Sequence, residues 1–259
     1  MTGNRVLGEF LRSRRKRIEP DRISAAVRHP RRTSGLKREE LAQRAGISTE
    51  WYVKLEQGRA IHPSSETIEA LGQALNLNPI EFAHLRSLAA AGGRQPFQQE
   101  QVPDVLCRLV AGLPEPAYIT GQCFDVLTWN EAAATLFGDF GRLSDEYRNI
   151  LHWMLTNAHA KEVFGRTWAE EARRIVALFR AAHDLWLGDP VFVDLVERVR
   201  VRSPEFDGWW SEHGIGAPLS GTKQLCHPAM GFVCYDHASF QANDDPKLKL
   251  TIYTLRNPL

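Results

Sequence analysis

The sequence predicts a two-domain chain: a small all-α domain of five helices, then a larger α+β domain. Three observations carry that expectation. Apolar residues recur at helical spacing through residues 6–90, with Gly or Pro at the breaks. A polar stretch, "GGRQPFQQEQVP" from Gly92 to Pro103, then interrupts the pattern. Beyond it, short β-rich runs at both ends flank a series of helical segments. At 259 residues and 43% apolar, the chain can bury two cores. The expected divisions are residues 1–91, a linker over 92–103, and 104–259.

The first helix is expected over Val6 to Ile18, with Val6, Leu7, Phe10, Leu11 and Ile18 on one side. Arg12, Arg14, Arg15, Lys16 and Arg17 crowd its end. Glu19 to Ser34 reads as an extended connector rich in Arg and Pro. Lys37 to Ala45 is the second helix, and Ser48 to Gln57 the third, closed by Gly58 at C′. The fourth, Ser65 to Leu75, is capped by Ser65 and buries Ile68, Leu71, Ala74 and Leu75. Pro79 starts the fifth at its N1 position, reaching Ala90.

In the second domain, Asp104 to Ala111 reads as a short helix. Ala117–Thr120 and Cys123–Trp129 form a hairpin around Gly121-Gln122, and Asn130 caps a helix over Glu131–Phe137. A long helix, Trp168 to Leu187, carries the stripe Trp168, Ala172, Ile175, Phe179, Ala182 and Trp186. Strands return at Thr222–His227, Gly231–Asp236 and Leu248–Leu255. In the last, Leu248, Leu250, Ile252 and Tyr253 read as its core.

The net charge of +1 hides a division. Residues 1–60 hold 15 Lys and Arg against 7 Asp and Glu, a balance of +8, whereas the remainder holds 17 against 24, or −7. A basic front part beside an acidic remainder suits a polyanionic partner; a solvated basic face gives the same count. Cys107, Cys123, Cys226 and Cys234 form no CxxC pair, so free thiols in a reducing cytoplasm are expected. The N-terminus becomes charged before any apolar signal core forms, and no segment is long and apolar enough to span a membrane.

"GLKREELAQRAGISTEWYVKLEQGR", from Gly35 to Arg59, joins the second and third helices through a tight turn: a helix-turn-helix. Leu41, Ala42, Ile47, Val53 and Leu55 face inward, Ala45 stays small where the helices cross, and Gly46 takes the left-handed turn. Ser48 caps the third helix. Thr49, Glu50, Trp51 and Lys54 then point outward from its first turns, where such a helix meets base edges in a major groove. Glu50 either accepts from a cytosine amino group or pairs with Arg38 or Lys54. Trp51 either touches a thymine methyl or packs on its own domain. Glu56 is expected to pair with Arg14 or Arg15 as a strut. Arg12, Arg15, Arg28, Arg31 and Arg32 would grip phosphates without regard to sequence.

"REELAQRAGIS…VKLEQGR" resembles the core of the Xre/Cro-type bacterial repressors. The resemblance implies a lambda-repressor-like helical head, phosphate contacts from Gln43 and Arg59, and base approach by Thr49, Glu50 and Lys54. A double-stranded DNA operator is the implied partner, read by a homodimer on two half-sites.

No GxSxG, HExxH, P-loop or GxGxxG occurs, so no catalytic residues and no metal site are expected. The second domain is rich in aromatics, including Trp129, Phe137, Trp153, Phe179, Phe206 and Trp210. Most such residues build core, but they also wall apolar pockets. "AYITGQCFDVLTWNEAAATLFG" has the strand-turn-strand-helix order that opens a PAS module. With "RNILHWML", "RSPEFDGWWSEHGI", "SGTKQLCHPAMG" and "KLKLTIYTL" it resembles the MmyB-like regulators, in which an Xre-type head precedes a PAS-like ligand-binding domain. That resemblance implies actinobacterial regulators, no resident cofactor and a fatty-acid-like apolar ligand. Arg148, Arg202 and Lys223 are candidates for the ligand's head group, with Arg202 preferred. A second domain that serves only as a dimerisation or protein-interaction module stays open at this point. An enzyme with an appended DNA-binding head would need a convergent polar constellation that the sequence does not display.

Overall fold

The computed structural model describes residues 3–18, 35–59, 62–90, 96–186, 188–216 and 220–256. It divides into two compact units: residues 1–95 with 184–188, and residues 96–183 with 189–259. Among the described residues no helix is long and apolar enough to cross a membrane.

The first unit holds α1 (Gly3–Arg17), α2 (Arg38–Arg44), α3 (Thr49–Glu56), α4 (Ser65–Ala74) and α5 (Pro79–Ala90). Each lies within three residues of its expected bounds. Ser48 caps α3 as expected, its hydroxyl accepting from Trp51 N–H at 3.2 Å. Ser64, not Ser65, caps α4, because its hydroxyl reaches back from Thr67 N–H. Gly46 (φ +65°) closes α2 with Ile47 N–H on the Ala42 carbonyl, a left-handed closure that spares a Cβ clash. Gly8 serves another need. A Cβ there would stand 2.5 Å from the Glu56 carbonyl, so glycine lets α1 and α3 pack backbone to backbone.

The core contains Leu7, Leu11, Leu41, Tyr52, Leu55, Leu71 and Leu85, all sealed from solvent. Of the five residues expected on the inner side of α1, Ile18 is only half buried; it follows the helix's last residue. Tyr52 is buried outright, and Val53 only half buried. At the centre of the unit sits the Glu56 carboxylate. Arg15 donates to both its oxygens at 3.0 Å, and Arg38 reaches Oε1 at 2.7 Å. Burial alone would raise this carboxyl's pKa, but the two guanidinium groups overcome it and hold it below the usual range. Arg14 pairs instead with Glu81 of α5 at 2.9 Å. The connector expected over Glu19 to Ser34 lies outside the described residues.

The second unit begins earlier than expected. Pro96–Pro103 is docked structure, not free linker: Phe97 N–H donates to the Asp189 carboxylate at 2.8 Å, and its ring meets Phe192 edge-on. Residues 91–95 lie outside the description. The elements are α6 (Asp104–Gly112), β1 (Ala117–Thr120), β2 (Val126–Trp129), α7 (Glu131–Phe137), α8 (Ile150–Thr156), α9 (Ala158–Phe164), α10 (Trp168–Leu185), α11 (Pro190–Arg202), α12 (Pro204–Ser211), β3 (Gly221–His227), β4 (Gly231–Gln241) and β5 (Lys249–Leu255). Asn130 caps α7 as expected, and it also bonds the Ala117 amide and the Leu113 and Glu115 carbonyls. α10 stops at Leu185, short of its expected end.

The five strands form one antiparallel sheet in the order β2-β1-β5-β4-β3. β2 starts three residues later than expected, because Phe124 adopts φ +69° and breaks the extended run. β4 runs five residues further, to Gln241, because β5 pairs with it along that whole length. One face carries α6 over Ala117, Ile119, Leu248 and their neighbours. The other face meets α8 and α10. The result is the expected α+β, PAS-like domain.

Glu56→Ala should cost the protein about 3 kcal/mol or more in urea unfolding, because two cations lose a buried partner. The contribution is complete above the unfolded glutamate pKa of about 4.3 and declines as pH falls through the lowered folded value. Glu56→Gln should therefore flatten the acid limb of a stability-against-pH curve.

Candidate functional site

In the helical unit, α3 presents an outward edge. Gln43, Ser48, Glu50, Lys54 and Arg59 are exposed, and Thr49 and Trp51 half buried. The inner side of the same helix is sealed by Tyr52, Leu55 and Glu56. Glu50 and Lys54 form no ion pair with each other, and Arg38 is engaged by Glu56, so both expected partners of Glu50 are otherwise disposed. Arg15 is removed from the set of phosphate-gripping arginines: it is 9% exposed and locked on Glu56 and the Leu36 carbonyl. Arg12 is exposed, whereas Arg28, Arg31 and Arg32 lie outside the described residues.

In the second unit, a cavity opens between the sheet and the helices. Its outer chamber has a volume of about 580 Å³ and is floored by Tyr118, Thr120, Ser239, Lys249, Thr251 and Tyr253. Arg174, Ile175 and Leu178 of α10 form a wall, with Lys223, His237 and Phe124. An inner chamber of about 410 Å³ shares Tyr118, Arg174, Lys223 and Tyr253 with the first and ends among Phe137, Trp153, Met154 and Phe164. Strand alternation builds the floor. Lys249, Thr251 and Tyr253 face the cavity, while Leu248, Leu250 and Ile252 face α6. Tyr253 therefore belongs to the cavity side and not with the leucines it was grouped with.

The charges divide by chamber. Among the described residues, the outer lining includes Arg174, Lys223, His237 and Lys249, and no carboxylate. Glu171 lines the inner chamber, holds Lys223 and lies 3.6 Å from Arg174. Burial lowers the pKa of Lys223, and Glu171 partly restores it. His237 donates Nδ1–H to the Gly221 carbonyl at 2.7 Å; burial, then Lys223, keeps its pKa low, so Nε2 is left as an acceptor. Burial likewise raises the Tyr118 and Tyr253 hydroxyls, which stay neutral donors.

Of the expected ligand residues, Phe137 and Trp153 line the cavity, and Lys223 does too. Trp129, Arg148, Phe179, Arg202, Phe206 and Trp210 do not. Arg148 is spent on its own loop, donating to the Phe140 and Leu143 carbonyls and to Asp145 at 2.7 Å, with its guanidinium over Trp129. Arg202 lies over Tyr147 and donates to its hydroxyl at 3.2 Å and toward His152 Nε2. Burial and the cations Arg202 and Arg198 bring the His152 pKa down to about 4. Phe179, Phe206 and Trp210 pack with Phe192 into a separate aromatic cluster, with Phe206 stacked on Trp210 at 5.1 Å. Sequence reasoning missed Arg174, His237 and Lys249. The alternation of "KLKLTIY" was the available signal for Lys249.

A helix-turn-helix with an outward edge, in a chain whose other domain holds a partly open polar-and-apolar cavity, defines a class: ligand-responsive DNA-binding regulators. The family model described as MmyB-like transcription regulator ligand binding domain matches residues 102–257, and that described as Helix-turn-helix domain matches residues 6–85. The first covers more than half the chain, which belongs to the MmyB-like transcription regulators. No curated protein matches the chain.

Glu171→Ala strands Lys223 in the cavity wall and should cost about 3 kcal/mol in chemical denaturation. Replacing both, Glu171→Leu with Lys223→Met, should recover most of that loss, since the pair's desolvation cost vanishes with its attraction.

Proposed function

We propose that this regulator is a cytoplasmic one-component transcription factor that works as a homodimer, and that its second domain binds an apolar ligand of the fatty-acid kind. The observation that carries the reading is the two-chamber cavity, aromatic and aliphatic at its inner end and polar at its outer end. Such a shape takes a molecule with one wet and one dry end. The two connected chambers favour this reading over that of a solid interaction module. For the head, the exposed Gln43, Glu50, Lys54 and Arg59 support groove docking by α3, with Thr49 and Trp51 at its flank. One such unit reads few bases, so two copies on two half-sites supply specificity. Ligand control requires different affinities for the DNA-competent and incompetent states.

Solvent extraction of the purified protein followed by mass spectrometry should yield a lipid-like molecule in near-stoichiometric amount. Adding it back should change a gel shift on the regulator's own promoter. If nothing co-purifies and no long-chain acid alters DNA binding, the sensor reading fails and the interaction module returns. On the DNA side, Arg59→Ala should reduce the slope of log affinity against log salt by about 0.9, as for one lost phosphate contact. Lys54→Ala should relax base preference at a single operator position, by about 1–3 kcal/mol.

A further inference from the structure

Four nitrogen-bearing side chains line the outer chamber, and three are already satisfied. Lys223 is held by Glu171, Arg174 stands against the same carboxylate, and His237 is tied to the Gly221 carbonyl. Lys249 differs. Among the described residues it has no carboxylate partner and makes no hydrogen bond; its ammonium lies 5.7 Å from the centre of the Phe124 ring. Burial alone lowers its pKa. A half-buried ammonium without a counter-ion is costly, and chains keep such groups where something else supplies the charge.

The surroundings are built for an acidic group. Lys249 pairs in register with Thr120 on one side and Gln241 on the other. One step along the same face, the Ser239 and Thr251 hydroxyls lie 2.9 Å apart, both lining the chamber. Phe124 reaches this chamber from a left-handed backbone, φ +69°, a conformation that costs a bulky residue about 1–3 kcal/mol and persists where the surroundings enforce it. Its carbonyl is held by Ile150 N–H at 2.9 Å. Lys249 lines only the outer chamber, and Phe137, Trp153, Met154 and Phe164 only the inner one.

We infer that Lys249 is the anchor for the ligand's anionic end, with the Ser239–Thr251 hydroxyl pair beside it, and that the apolar body points inward toward Trp153 and Phe164. The ligand class is then an amphiphile with one terminal anion, not a neutral lipid, and its direction in the cavity is set by β5. This rests on the ligand reading above and deepens it by naming the residue and the polarity.

The test uses the full-length protein, stripped of lipid on a hydrophobic resin and titrated with decanoate and with methyl decanoate by calorimetry and tryptophan fluorescence. The parent should bind decanoate about tenfold or more tightly than the ester, as one lost charge-assisted hydrogen bond predicts. Lys249→Met should abolish that preference while still binding the ester, and Lys249→Arg should retain it. A melting temperature of Lys249→Met at or above the parent's, and of Lys249→Arg close to it, shows that each fold is intact, since methionine removes an unpaired buried charge and arginine keeps it. Equal affinity of the parent for acid and ester, or undiminished preference in Lys249→Met, overturns the assignment and leaves the apolar-ligand reading standing. Failure of the parent to bind either compound removes both.

Discussion

The second domain depends on where its last strand pairs. β5 lies between β1 and β4, so it joins the first hairpin to the last across the helices that lie between Trp129 and Gly221. Its backbone donors and acceptors are taken up on both sides, and its side chains are forced to alternate between α6 and the cavity. A slip of one residue in this strand would send Lys249, Thr251 and Tyr253 to the α6 face and bring Leu248, Leu250 and Ile252 into the cavity. Strand register therefore decides cavity chemistry.

The cavity in turn shows how a protein keeps charge inside. Glu171 and Lys223 neutralise each other at the boundary between the chambers and tie α10 to β3. Toward the inner end the lining becomes rings, with Phe137 against Trp153 at 5.8 Å and against Tyr253 at 5.0 Å. Toward the outer end it becomes hydroxyls and amines without an acid. The head uses the opposite solution. Its internal charge, Glu56, is satisfied within the unit by Arg15 and Arg38, and the outer edge of α3 stays exposed. Part of the local density of cations in α1 and α2 is thus spent inside the unit, which a charge count cannot reveal.

Local signals made the helical unit legible. Gly46 and Gly58 stop their helices with positive φ, Ser48 starts one, and the i, i+3, i+4 spacing of Leu and Ile marks the buried sides. The same holds for Asn130, whose cap and corner follow from its neighbours. Where the sequence misleads, a distant partner is responsible. Nothing in "HASFQ" announces a strand, yet β4 runs through it because β5 offers hydrogen bonds. Phe124 sits in a β-rich run, yet its backbone turns left-handed where the hairpin meets α8. Ser65 and Ser64 are equivalent as letters, and geometry selects the latter.

Aromatic content pointed to a pocket but could not say which rings line it. Phe137 and Trp153 do, while Phe179, Phe206 and Trp210 seal a different cluster, since a ring's periodicity gives its helix face and not the neighbour that face meets. The same limit applies to the candidate head-group cations: Arg148 and Arg202 adjoin patterned segments in sequence but spend their hydrogen bonds on loops and on Tyr147. By itself the sequence determined the two-domain plan, the helix-turn-helix and its outward residues, because caps, turns and period are properties of neighbouring residues. Only the tertiary structure decided which cavity cations are paired and that Lys249, among the described residues, has no carboxylate partner, because that depends on side chains brought together from β1, β3, β5 and α10.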